Sequence, residues 1–94
     1  MTDKVKTPSS VTLQHAGKLA ITEDKPVLFD YWQNSLDKKA LIGVRESGEK
    51  LLVKSADEYT SPIAKFYKSE NDYIIITENS IYIVSSEIPT KKIA

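Results

Sequence analysis

The amino-acid sequence predicts a mainly β domain bordering on α+β. The expected form is a small antiparallel barrel or strongly curved sheet of about six strands with one short N-terminal helix plugging an end; two stacked sheets are the alternative. Three observations lead there. Between Pro62 and Val84, two tight turns join three short apolar runs. A second hairpin signal, Ser47-Gly48, separates Ala40–Val44 from Leu51–Val53. One stretch, Val11–Ile21, offers apolar residues at helical spacing.

Residues 1–10 are polar and read as a flexible arm. Ser10 can N-cap a helix that puts Leu13, Ala16 and Ala20 on one side. Alternation of Val11, Leu13 and His15 also permits a strand; the helix is the reading adopted. Thr22–Lys25 is a turn, and Pro26 opens a strand over Val27–Gln33, at a position where no ladder donor is needed. That strand puts Val27, Phe29 and Tyr31 on one face and Leu28, Asp30 and Trp32 on the other. Gln33–Lys39 is a polar connection.

Pairing outward from Ser47-Gly48 sets Val44 opposite Leu51 and Ile42 opposite Val53, which gathers Ala40, Ile42, Val44, Leu51 and Val53 on one face. Gly43 falls mid-strand on the other face and predicts a bend or a neighbour packed close above it. Ser55–Ser61 is a loop, and Ser61-Pro62 starts the next strand. Ser69-Glu70-Asn71 reads as a three-residue turn with Asn71 left-handed, setting Phe66 opposite Ile74 and Tyr67 opposite Tyr73. Glu78-Asn79 closes a second turn that sets Ile76 opposite Ile81 and Ile74 opposite Ile83. Asp72 and Glu78 flank the Tyr73–Thr77 run as gatekeeper charges. Pro89 ends regular structure, so residues 11–88 form one domain and 89–94 a frayed tail.

Composition narrows the functional classes. In 94 residues, thirteen basic and thirteen acidic side chains cancel, which argues against binding driven by phosphate neutralisation. Twelve of the thirteen bases are lysine, and Arg45 is the one arginine fork suited to phosphate or guanine. The chain has no cysteine and a single histidine, His15, so thiolate chemistry is excluded and neither a catalytic triad nor a zinc site is expected. No catalytic residue, metal ligand or cofactor is assigned, and an enzyme is not expected. No apolar run approaches the roughly 18 residues that span a bilayer, and Met1–Pro8 has no apolar h-region. The expected setting is intracellular and cytoplasmic, with no membrane partner. Abundant lysine and isoleucine fit an AT-rich coding sequence of the kind many viruses carry.

Two places stand out as binding candidates. In the terminal meander, Ala64, Phe66, Ile74, Ile76, Ile81 and Ile83 share one face, yet the reverse face carries Tyr67, Tyr73, Ile75, Tyr82 and Val84 beside Lys65. An antiparallel face turned to water alternates to polar residues, so this one requires a cover. The cover is the 11–21 helix or the first strand, or it is a second copy of the chain or another protein. Tyr31 and Trp32 are the second candidate, as core or rim side chains or as an aromatic groove for a peptide or an unstacked base. The function these residues imply is a non-enzymatic interaction or assembly domain that self-associates through an aromatic sheet face. A small nucleic-acid-binding barrel is the alternative, with Lys38, Lys39, Lys50, Lys54, Lys65 and Lys68 as its basic stripe.

Overall fold

The computed structural model describes residues 6–93; positions 1–5 and 94, parts of the expected arm and tail, lie outside the described residues. In chain order the elements are α1 (Ser10–Glu23), β1 (Val27–Leu28), α2 (Trp32–Leu36), β2 (Leu41–Val44), β3 (Lys50–Val53), β4 (Ile63–Ser69), β5 (Asp72–Thr77), β6 (Ile81–Ser85) and β7 (Thr90–Lys92). The fold is mainly β, with one long and one short helix. The strands form two sheets that do not close into a barrel, ordered β1-β6-β5-β4 and β3-β2-β7.

The four-stranded sheet is the middle layer. Its β5–β6 hairpin has the expected register, with Ile76 opposite Ile81 and Ile74 opposite Ile83. Ile74, Ile76, Ile81 and Ile83 pack with Ala16 of α1 and Trp32 of α2. On the reverse face, Ile75 and Val84 pack with Ala40, Ile42 and Leu52 of the three-stranded side. One helical layer and one β layer therefore sandwich this sheet.

Helix α1 forms where expected but starts one residue earlier. Ser9 is its N-cap, and its Oγ accepts from the Thr12 N–H at 3.0 Å. The helix ends at Asp24, whose left-handed φ of 56° stops the spiral. The buried face is Thr12 and Ala16, with Leu19 and Ala20 beside them, while Leu13 points to solvent. Thr12 clamps the helix to the sheet: its hydroxyl lies 3.0 Å from the Ser69 carbonyl and 2.9 Å from Asp72 Oδ2, which also accepts from the Ser9 N–H at 3.1 Å. Asp72 is thus buried at the positive end of α1. It is a clamp rather than an exposed gatekeeper.

Five further expectations are corrected. The strand over Val27–Gln33 is only two residues long; it lies parallel to β6, and the chain then turns into α2 from Trp32. The Gln33–Lys39 connection is accordingly half helical. The first hairpin pairs Ile42 with Leu52 and Gly43 with Leu51, one residue from the expected register. Its loop is Glu46-Ser47-Gly48, closed by the Arg45 N–H donating to the Glu49 carbonyl at 2.8 Å, and Gly48 takes φ 94°. A three-residue loop with glycine at the left-handed position fixes that offset, and the consecutive Leu51-Leu52 lets either register bury a leucine. In the second hairpin the loop is Glu70-Asn71, with Glu70 at φ 56°, so Ser69 faces Asp72 and Tyr67 faces Ile74. This turns β4 over: Lys65 and Tyr67 join the α1 side, Phe66 the other. Finally, Pro89 does not end regular structure. Its carbonyl accepts from Ile42, and β7 runs parallel to β2.

The close neighbour expected above Gly43 is present. A Cβ there would lie 2.8 Å from Ile93 Cδ1 and 3.1 Å from Val53 Cγ2. Gly43→Ala should therefore push Ile93 off the sheet and lower stability by about 1–3 kcal/mol in urea melts, a cost that shrinks in an Ile93→Ala background. Thr12→Val keeps the shape and deletes the clamp hydroxyl; the expected loss is about 1.5–3 kcal/mol by the same measurement.

Candidate interaction surface

The structure separates the residues that the sequence groups together. Ile75 and Val84 have no exposure and form the centre of the core between the sheets. Tyr73 and Tyr82 are half-buried against that core. The cover over this face comes from β2 and β3 of the same chain, while α1 covers the opposite face. Tyr67, on turned-over β4, stays exposed beside α1.

Tyr31 and Trp32 occupy the entry to α2, not a strand, and send their rings into different cores. The Trp32 indole N–H donates to the Lys6 carbonyl at 3.0 Å, so the segment before α1 is fastened there. Tyr31 meets Tyr82 edge-on at 5.3 Å between ring centroids, and Lys54 Nζ lies 4.5 Å over the Tyr31 ring. Burial, reinforced by Tyr82, Asp30 and Glu58, pushes the Tyr31 hydroxyl up to about 12. Burial also raises Tyr82, with Asp30 adding to the effect.

The long open edge of the middle sheet is β4. Its other edge, β1, is two residues long. In the second sheet, β3 is partly capped by Thr60, whose N–H and Oγ1 bond the carbonyl and N–H of Leu52. Along β4, Ala64 through Lys68 are all exposed, with Phe66 at 41% and Tyr67 at 43%. Phe66 packs on Tyr73 with ring centroids 4.6 Å apart. A bulge between Ile63 and Lys65 leaves Lys65–Ser69 in regular pairing.

Beside this edge, a groove of about 420 Å³ runs between α1 and β4, lined by His15, Lys18, Leu19, Tyr67, Lys68, Ser69 and Ile74. A second concavity of about 400 Å³ lies outside the three-stranded sheet among Leu51, Val53, Tyr59 and Ile93. Some of the charges are met by neighbours. Glu23 takes Lys65 at 2.8 Å and Lys25 at 4.0 Å, Lys54 meets Glu58, and Arg45 meets Glu49. The Lys65 ammonium holds the Glu23 carboxyl below its ordinary value, and Glu23 in turn raises Lys65. Lys54 and Lys65 of the predicted basic stripe are thus each matched with an acid. Among the described residues no group of three or more His, Asp or Glu side chains is placed to hold a metal ion, and no helix is long and apolar enough to cross a membrane.

Sequence reasoning missed Phe66 and the groove. Both follow from the turn length at Glu70-Asn71, which sets the faces of Lys65–Ser69 up to the bulge. No protein-family model matches the chain, and comparisons with curated proteins and with solved structures return no match.

The buried tyrosine makes stability depend on alkaline pH. An unfolded chain loses phenolic protons near pH 10, whereas native Tyr31 keeps its proton until about pH 12, so the native state binds more protons in that window. Stability should fall as pH rises from about 10 to about 12. In urea melts across that range, Tyr31→Phe should flatten the fall relative to wild type; an unchanged slope would remove Tyr31 as its source.

Proposed function

We propose that this chain is a non-enzymatic assembly domain that self-associates through the open edge of β4, with Phe66 and Tyr67 as its aromatic contacts. The observation that carries the reading is the run of five consecutive exposed residues, Ala64–Lys68, on the longest strand of the middle sheet, at an edge that has no neighbour in the sheet order among the described residues. Such an edge offers unpaired backbone N–H and C=O groups to another strand.

Lysines on an edge usually discourage pairing. Here Lys65 is drawn to Glu23 on α1, and the bulge sits at the far end of the strand. Charge and symmetry then restrict how two copies meet. About a two-fold axis normal to the sheet, facing residues must point to the same side, so some residue lies opposite its own copy. Placing Lys65 or Lys68 there stacks like charges. Phe66 on the axis sets ring against ring, Lys65 against Tyr67, and Lys68 against Ala64; Tyr67 on the axis is the second allowed register. Aromatic cross-strand pairs contribute about 0.2–1 kcal/mol each.

The natural absence of cysteine makes the test clean. Phe66→Cys should form an intermolecular disulfide quickly under mild oxidation, because facing Cα atoms in such a pair lie about 4.5–5.5 Å apart, inside the range of about 4.4–6.8 Å that a disulfide spans. Tyr67→Cys reports the second register; Lys65→Cys and Lys68→Cys should lag. Monomeric sedimentation at high micromolar concentration, with all four variants cross-linking no faster than Glu46→Cys on the exposed hairpin, would refute the reading.

A further inference from the structure

The groove between α1 and β4 is a separate feature from the edge itself. Its sides are apolar: Leu19 from the helix, Ile74 from the sheet and the exposed Tyr67 ring. At about 420 Å³ it falls within the range of small-molecule sites, about 300–1,000 Å³. Its polar lining is one-sided. His15 and Lys18 stand one turn apart on α1, and no acid among the described residues lines the groove. Lys68 adds little charge here, because strand alternation puts its side chain on the Tyr73 face. The carboxylate opposite Ser69, Asp72, is buried and spends Oδ2 on Ser9 and Thr12.

A second observation concerns Ser69. Its Oγ is the one buried side-chain polar atom among the described residues that has no hydrogen-bond partner. Its own carbonyl is taken by Thr12, yet the hydroxyl donates to nothing. Native proteins rarely leave such a group unmet. A single χ1 rotation redirects a serine hydroxyl, and Ser69 is a wall of the groove. A basic group from the helix, an idle donor from the sheet and apolar surface from both fit one ligand chemistry.

We infer that this groove binds a small amphipathic anion, with an alkyl chain along Leu19, Ile74 and Tyr67 and its carboxylate held by Lys18 and the Ser69 hydroxyl. The chain displaces water from the apolar walls, and the head group supplies the acceptor that Ser69 lacks. This inference does not rest on strand pairing at β4, and either can fail without the other.

The probe is decanoate below its micelle-forming concentration, added to the full chain and followed by NMR. His15 is the only histidine, so its ring resonances report this groove without ambiguity. They should shift saturably with decanoate, and not with decyltrimethylammonium or acetate, which lack the negative charge and the alkyl chain respectively. Lys18→Glu, at an exposed helix position, and Ser69→Ala, which removes a hydroxyl bonded to nothing, should each weaken binding about tenfold while the melting curve holds. Equal shifts with the cationic amphiphile, wild-type affinity in both variants, or no shift at millimolar decanoate would overturn the inference.

Discussion

The structure depends on one hairpin that is too apolar to face water on either side. Ile74, Ile76, Ile81 and Ile83 fill one face of β5–β6, Ile75 and Val84 the other, and all six are essentially without exposure. Burying an isoleucine stabilises by about 1.5–3 kcal/mol. The four isoleucines on the helix side alone are therefore comparable to the whole net stability of a small domain, about 5–15 kcal/mol. Neither face can be left open, and an ordinary antiparallel sheet with one wet side is ruled out. The helices answer one face and the β2–β3 hairpin the other, which is how a chain of this length comes to have three layers.

Each sheet also borrows a strand from the other half of the chain. β1, near the start, lies parallel to β6 near the end, and β7 lies parallel to β2. The two sheets are laced together, and neither hairpin is a self-contained unit. Gly43 belongs to this lacing, because its missing side chain is the space that Ile93 occupies after β7. Ser35 does similar work nearer α2. Its hydroxyl donates to the Trp32 carbonyl at 2.6 Å and accepts from the Ser85 N–H at 2.9 Å, tying the short helix to the end of β6.

What was legible in the sequence was local and redundant. The β5–β6 register could be read because five consecutive pairs agree with the turn at Glu78-Asn79, and the neighbour above Gly43 because a mid-strand glycine has few other uses. The strand expected over Val27–Gln33 failed because alternation at Val27, Phe29 and Tyr31 does not reveal that Tyr31 and Trp32 are needed in two different cores. Both misplaced registers trace to loops that differ by one residue from the expected length. Parallel pairings between residues some fifty positions apart leave no local trace, and neither does a groove built from α1 and β4.

The choice of turn at Glu70-Asn71 is not made by the turn alone. Glu70 sits at a positive φ, which costs a non-glycine residue some strain. Thr12 offsets it, because its hydroxyl reaches the Ser69 carbonyl and the Asp72 carboxylate together, and these two residues face each other only in the two-residue register. In a three-residue turn Ser69 would leave the ladder, and the buried Asp72 would lose its arrangement at the head of α1. The desolvation of that carboxylate is tolerable only while the Ser9 N–H and the Thr12 hydroxyl serve it. A polar contact between helix and sheet thus sets the phase of β4. That phase brings Lys65 to Glu23, gives Tyr67 to the groove and leaves Phe66 on the opposite face of the edge, so the surface chemistry of this chain is decided by a buried threonine fifty-seven residues away in sequence.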